Sequence, residues 1–406
     1  MPDPENTYTN RHHWVAERRS GDNPHHHPHS FVSPGIEDRS HSPFRFADLQ
    51  LRSGILHVLQ VIIGRAALFW DVNEDHFLPN WGKAGHYGEG LANYPTDATR
   101  DILPVPVHSH NDYWRRIPLW EAIHYGCTGV EADVHWYEDD LFVGHNQASL
   151  TQNRTLRSLY IDPLVELLEK QNPQTEFSNT TKHGVFDEDP SQTLALLIDV
   201  KTDGALTIPI VEQQLEPLRS RGYLTYFNGT HTIPGAITVI GTGNTPFDVL
   251  MANTTYRDIF FDAPLDRLWQ APKSYTSKIV EDSTDSESSK IARRDGQGTT
   301  GIAAGTTASD FNVTSAYYAS VSFKETVGMV WRGHLSPRQL EIIRGQIRGA
   351  KKQGLKARYW ETPSWPIGLR NHIWHVLIKE GADMLNADDL RAAATQDWKR
   401  WQHDLW

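Results

Sequence analysis

The chain has 406 residues, a formal net charge of −11 at neutral pH and a single cysteine. The acidic balance and the lack of any large basic block argue against a nucleic-acid partner held through its phosphates. One thiol, Cys127, excludes an internal disulfide and any cysteine-based zinc site, and its place beside Gly126 suits a small buried filler.

Residues 1–48 are polar and rich in proline and histidine, including His12, His13, His25 to His27 and His29, and read as a disordered tail. Residues 49–100 form an apolar or amphipathic segment and a linker. Within them Leu51 to Trp70 is apolar but interrupted by His57, Gln60 and Arg65, which speaks against a clean spanning helix. An interfacial anchor, a degenerate signal anchor and an amphipathic helix laid on the following domain remain open. Residues 101–395 repeat a strand, a polar strand end and a helical stretch, the rhythm of parallel β/α architecture. Eight strands are expected, at Leu103 to Val107, Gly129 to Val134, Leu194 to Val200, Ala236 to Ile240, Ile259 to Phe261, Ala319 to Phe323, Ala357 to Trp360 and Asp383 to Leu385. Leu141 to Val143 adds a short flanking strand, and Ile117 to Tyr125 reads as a helical stretch. Eight such units close into a (β/α)8 TIM barrel of α/β class, with a doubly wound open sheet as the alternative. Two stretches break the rhythm. Glu176 to Gln192 is a polar insertion, and Lys273 to Asn312 is a mobile loop expected to fold over the barrel mouth or reach a membrane surface. Residues 396–406 are a C-terminal tail.

The chemistry concentrates between His108 and His145. Glu131 and Asp133 alternate on one strand, so their carboxylates point the same way, and His108, His110 and His145 fall where short apolar runs end. Strand ends of this kind are where barrels do chemistry. A divalent cation on hard oxygen ligands, flanked by one imidazole that attacks or takes a proton and another that gives one, suits cleavage of a phosphodiester. Asp199 and Lys201 repeat the spacing on the third strand, adding an oxygen ligand and either a phosphate-facing cation or an Asp–Lys bridge within the barrel. VIGTGN, at Val239 to Asn244, forms a tight turn or brings backbone N–H groups toward an anion.

His110, Glu131, Asp133 and His145, separated by 21, 2 and 12 positions, resemble the site of the PLC-like phosphodiesterase superfamily. That superfamily includes glycerophosphodiester phosphodiesterases and sphingomyelinases D. The blocks HSHNDY, VEADV, LYIDPL, VIGTGNTPF, FFDAPL and NADDL are similar to those of the fungal altered inheritance of mitochondria protein 6 family, over roughly residues 105–390. The HRG start and PENT turn of ordinary glycerophosphodiesterases are missing. The resemblance implies a TIM barrel, a metal held by Glu131, Asp133 and Asp199 (Mg²⁺ first, Ca²⁺ second), His110 as nucleophile or general base, and His145 as general acid. It further implies substrate contacts from Lys201 and Trp360. His108 competes with His110 on spacing and is assigned a supporting or substrate-contacting role, with Asn111 and Asp112 expected to orient the His110 ring. Asn386 and Asp388 close the barrel mouth.

The expected function is a metal-dependent phosphoric diester hydrolase or phospholipase D-like lyase. Its substrate would be a glycerophosphodiester or the headgroup of a (lyso)phospholipid or sphingolipid, with peripheral membrane contact. A catalytically silent barrel that binds a phosphorylated headgroup or a protein partner is the other reading. Sequons at Asn153, Asn179, Asn228, Asn253 and Asn312 point weakly to a secretory route.

Overall fold

A strand covered on both faces needs a near-continuous apolar run, and Leu194–Val200, LALLIDV, is buried at every position. In the computed structural model of the chain it is one stave of a closed barrel. The structure describes residues 58, 59, 99–176, 182–271 and 301–398. The histidine-rich tail, nearly all of residues 51–70, residues 273–300 and the extreme C-terminus lie outside the described residues. Among the described residues no helix is long and apolar enough to cross a membrane.

In chain order the strands are Val105–Ser109 (β1), Cys127–Tyr137 (β2), Asp140–Val143 (β3), Leu194–Val200 (β4), Tyr226–Phe227 (β5), Thr232–Ile233 (β6), Ile237–Gly243 (β7), Ile259–Pro264 (β8), Ala316–Ser322 (β9), Lys356–Trp360 (β10) and Met384–Ala387 (β11). The helices are Trp120–His124 (α1), Asp162–Gln171 (α2), Gly204–Gln214 (α3), Glu216–Arg219 (α4), Phe247–Met251 (α5), Phe323–Thr326 (α6), Pro337–Lys352 (α7), Ile367–Glu380 (α8) and Leu390–Ala394 (α9). Strands β1, β2, β4, β7, β8, β9, β10 and β11 pair in parallel in that order, and β11 returns to β1. The fold is the expected α/β TIM barrel. β3 is the expected flanking strand, antiparallel to the end of β2. Helix α7 shows the local logic of the outer layer: Ser336 caps it with a Gln339 capping box, Pro337 begins it, and Ile343, Ile347 and Ala350 turn inward.

Alternation along the staves splits the core in two. Val130, Ala132 and Val134 of β2 and Leu196 and Ile198 of β4 face the helices. Inside, Ala195, Leu197, Ile240, Tyr318 and Met384 form a separate apolar layer. The inward positions that follow toward the strands' carboxyl ends are polar: Glu131, Asp133, Asp199, Asp262, Arg358 and Asn386, all buried. The barrel therefore has an apolar floor and a charged mouth.

Three expectations about loops change. The end of the polar insertion is packed, with Val185 and Phe186 fully buried and Asp187 accepting from the Thr99 N–H and hydroxyl. Residues 301–312 are likewise built in rather than mobile, because Phe311 stacks on Phe261 and against Phe247 and is fully buried. The helical stretch expected over Ile117 to Tyr125 is shorter; a 3-10 turn at Asp112–Trp114 precedes α1.

Candidate active site

Register places the acids. Asp133 on β2 lies directly beside Asp199 on β4, with Glu131 one inward position below, beside Leu197. One ligand oxygen from each of Glu131, Asp133 and Asp199 falls within 4.8 Å of the others. Lys201 bridges the upper pair, its Nζ 2.8 Å from Asp199 Oδ2 and 3.1 Å from Asp133 Oδ2. The Asp–Lys bridge read as one alternative is thus formed. Gly243, with φ of 67°, stands where a Cβ would lie 2.1 Å from Asp199 Oδ1. The Gly-rich turn makes room for the carboxylate.

One lysine does not neutralise three acids. Burial, with the charges of Asp133 and Glu131 added, pushes Asp199 up to about 7 despite Lys201. Burial and the Glu131 charge push Asp133 up to about 6. Glu131 is also buried, but the His108 ring and the charges of His110 and Arg358 outweigh that and hold it well below the usual carboxylate range. Asp133 Oδ1 and Asp199 Oδ1 are buried without a hydrogen-bond partner. Unpaired buried carboxylate oxygens carry a large desolvation cost. The donor set, three hard oxygens converging at a barrel mouth, fits a bound cation.

The histidines separate. β1 ends two residues later than expected, so His108 sits within the strand and His110 just past it. His108 is fully buried, 3.7 Å from Glu131 Oε2 and edge-on to Tyr318; burial, then the Arg358 charge, lowers it to about 4. Its neighbour on β2 is Gly129, where a Cβ would lie 2.4 Å from His108 Nδ1. The His110 side chain is 27% exposed and its Nδ1 pairs with Asp388 Oδ1 at 2.8 Å. Burial opposes charge on this ring, but Asp388 and Glu131 prevail and raise its pKa. His145 follows β3 and is half exposed, 3.6 Å from Asp133 Oδ2 and in ring contact with Trp114.

Asp112 does not orient His110. It is buried and accepts from Ser109 Oγ, the Leu119 N–H and Tyr160 Oη, so it holds the loop after β1 instead. Asn111, left-handed at φ 46°, aims its N–H at Glu131 Oε2, 3.4 Å away. Asp388 is the orienting partner. Arg115 ties the ends of β1 and β11 together through the carbonyls of His110, Ala387 and Asp388. Trp360 ends β10 half-buried on the same side as Arg358, toward the mouth.

Sequence reasoning gave no role to three residues. The Tyr113 hydroxyl lies 2.8 Å from Asp133 Oδ2, 2.7 Å from Asn111 Oδ1 and 3.3 Å from His145 Nδ1, joining the acid cluster to the histidine above it. Arg358, fully surrounded, donates to Ser320 Oγ, Asn386 Oδ1 and Asp262 Oδ2 and lies 3.9 Å from Glu131 Oε2. Asp262 ends the apolar run of β8, the one signal that it belonged with Asp199, which ends the run of β4. Cys127 is buried, and burial raises its thiol far above the ordinary range, as befits a filler.

A closed parallel barrel with a buried acid trio and two accessible histidines at its mouth has the arrangement in which TIM-barrel enzymes place their active sites. A family profile described as "AIM6-like phosphodiesterase domain" matches residues 96–262. The chain is 43% identical over 314 residues to the "Altered inheritance of mitochondria protein 6 homolog" of Arthroderma benhamiae, covering 75% of this chain and 87% of that protein. Proteins named "Altered inheritance of mitochondria protein 6" from Saccharomyces cerevisiae and Eremothecium gossypii are 35% and 32% identical, with 73% of this chain covered in each case and 72% and 70% of the relative. The chain belongs to the altered inheritance of mitochondria protein 6 family.

Proposed function

We propose that the chain is a metal-dependent phosphoric diester hydrolase or phospholipase D-like lyase. The substrate is a glycerophosphodiester or the headgroup of a (lyso)phospholipid or sphingolipid. The observation that carries this is the pair of unpartnered buried oxygens on Asp133 and Asp199, set between His110 and His145. Glu131, Asp133 and Asp199 would hold a divalent cation that takes hard oxygen ligands, Mg²⁺ first and Ca²⁺ as the alternative. When bound, it would supply charge neutralisation for the phosphodiester anion.

The chain's own groups do the proton work. Asp388 holds the His110 ring and raises its basicity, which suits a group that takes the proton from an incoming hydroxyl. His145, half exposed above Asp133, gives a proton to the leaving oxygen. Lys201 spans Asp133 and Asp199 with a quarter of its side chain exposed, well placed to meet a phosphoryl oxygen. Trp360 offers an aromatic wall for the headgroup, and the buried, neutral His108 supports Glu131.

The test is turnover of a panel of water-soluble and lipid phosphodiesters, in Mg²⁺ and after chelation. Cleavage that is lost on chelation and restored by Mg²⁺ is expected. Headgroup binding without cleavage of any diester would instead support a silent binding barrel.

A further inference from the structure

Single exposed apolar residues are ordinary, but contiguous ones mark a surface that something covers. Among the described residues five tryptophans are exposed: Trp114, Trp120, Trp269, Trp331 and Trp365. Four of them, Trp114, Trp120, Trp331 and Trp365, follow the carboxyl end of β1, β9 or β10 and so lie toward the face that holds the active site, whereas Trp269 packs beside Gly345 of α7 on the barrel's flank. Trp114 is 61% exposed, Trp331 67% and Trp365 75%, with Ile117, Met329 and Ile367 exposed beside them in the same three loops. The opposite face carries exposed Leu103, Val249 and Val313 but no exposed tryptophan among the described residues.

Charge on this rim runs against the chain's acidic total. Two of its acids are paired, Asp388 with His110 and Asp389 with Arg370, while Glu361 accepts from the neutral Ser322 Oγ and keeps its charge. Arg116, Arg332 and Arg338 are exposed, and none of them has an ion pair among the described residues. Arg332 instead lies over the Trp331 ring, 5.9 Å from its centroid. Lys324 and Glu325 are neighbours and cancel.

We propose that the rim formed by the loops after β1, β9 and β10 is a docking surface for an anionic phospholipid bilayer. Indole rings favour the headgroup region, where one end of the ring is apolar and the other wet, and arginines there meet anionic lipid. Seated this way, the barrel mouth faces the bilayer and His110 and His145 meet headgroups without the lipid leaving its leaflet. The proposal deepens the lipid-headgroup reading above, and its test separates the two.

The full chain is sedimented with phosphatidylcholine vesicles and with vesicles of phosphatidylcholine mixed with phosphatidylserine. Wild type binds the mixed vesicles, and added salt weakens that binding. Trp331→Ala/Trp365→Ala loses about tenfold or more in partitioning, as expected when two large apolar side chains no longer insert. Arg332→Glu/Arg338→Glu loses binding only to the anionic vesicles. Both variants keep the wild-type melting temperature and cleave a water-soluble diester at the wild-type rate. No binding by wild type, or unchanged binding by Trp331→Ala/Trp365→Ala, overturns the docking surface, even with soluble diesters cleaved. So does a dimer in solution that the same substitutions disperse, which would assign the rim to a second copy. Vesicle binding without cleavage of any diester sinks the catalytic reading and leaves the docking surface standing.

Discussion

Asp199→Asn in the metal-free protein isolates what the acid cluster costs. The folded chain holds this carboxyl's pKa at about 7 because it is buried among like charges. An acid whose pKa is raised on folding keeps a proton that the unfolded chain releases, so its penalty grows as pH rises from about 4 and is complete above about 7. At about pH 8 that displacement corresponds to about 4 kcal/mol. Lys201 loses one of its two partners in the variant but keeps Asp133 Oδ2 at 3.1 Å, which offsets part of the gain. The net expectation is that Asp199→Asn is more stable than wild type by about 2 kcal/mol, or about 3 °C in melting temperature. Saturating Mg²⁺ at about 100 times its dissociation constant stabilises wild type by about 2.7 kcal/mol, and it should leave Asp199→Asn little changed. The order of the two proteins then reverses between chelator and Mg²⁺. Thermal melts at about pH 5 and pH 8 read both effects, and the stability difference in chelator should shrink at the lower pH. A variant that melts below wild type in chelator at high pH, and shifts as much as wild type in Mg²⁺, would refute the reasoning.

His110→Ala and His145→Ala should each slow the chemical step by about 10²-fold or more while the Mg²⁺-induced melting shift persists, and His108→Ala should slow it less. Single-turnover rates and thermal shifts check this together. Asp388→Asn should cost about tenfold in kcat/KM and move the acid limb of the pH–rate profile to lower pH, because Asp388 is what raises the His110 pKa. An unmoved limb would assign that limb to another group. Arg358→Met leaves Asp262 and Glu131 without their buried cation and should destabilise the fold by about 3–5 kcal/mol, measured by urea denaturation.

The staves were legible because a parallel barrel strand is largely apolar on both faces, so β4 stands out at its true bounds. The acids were legible because charges within or ending such runs stand out: Glu131 and Asp133 alternate with Val130, Ala132 and Val134, Asp199 nearly ends LALLIDV, and the structure brings them together. Partnerships across the barrel were not. Nothing local to ARYWETP reveals that Arg358 reaches Asp262 and Asn386 on other strands, nor does NADDL reveal that Asp388 turns to His110. The nearby Asn111 and Asp112 looked like the orienting groups because proximity in sequence is the only proximity a sequence displays. The packed ends of the two polar insertions were hidden likewise, since Phe186 and Phe311 find their pockets only in three dimensions.

The pairing of His110 with Asp388 joins residues 278 positions apart, the first and last strands of the barrel. The acid trio and His145 all lie between β2 and β4, but Asp388, which holds the His110 ring, follows the last strand of the barrel. Before β11 docks, the acids are present but His110 lacks the partner that orients it. Closing the ring completes the fold and seats His110 in one event, so, on the mechanism proposed above, turnover would double as a report that the barrel has shut.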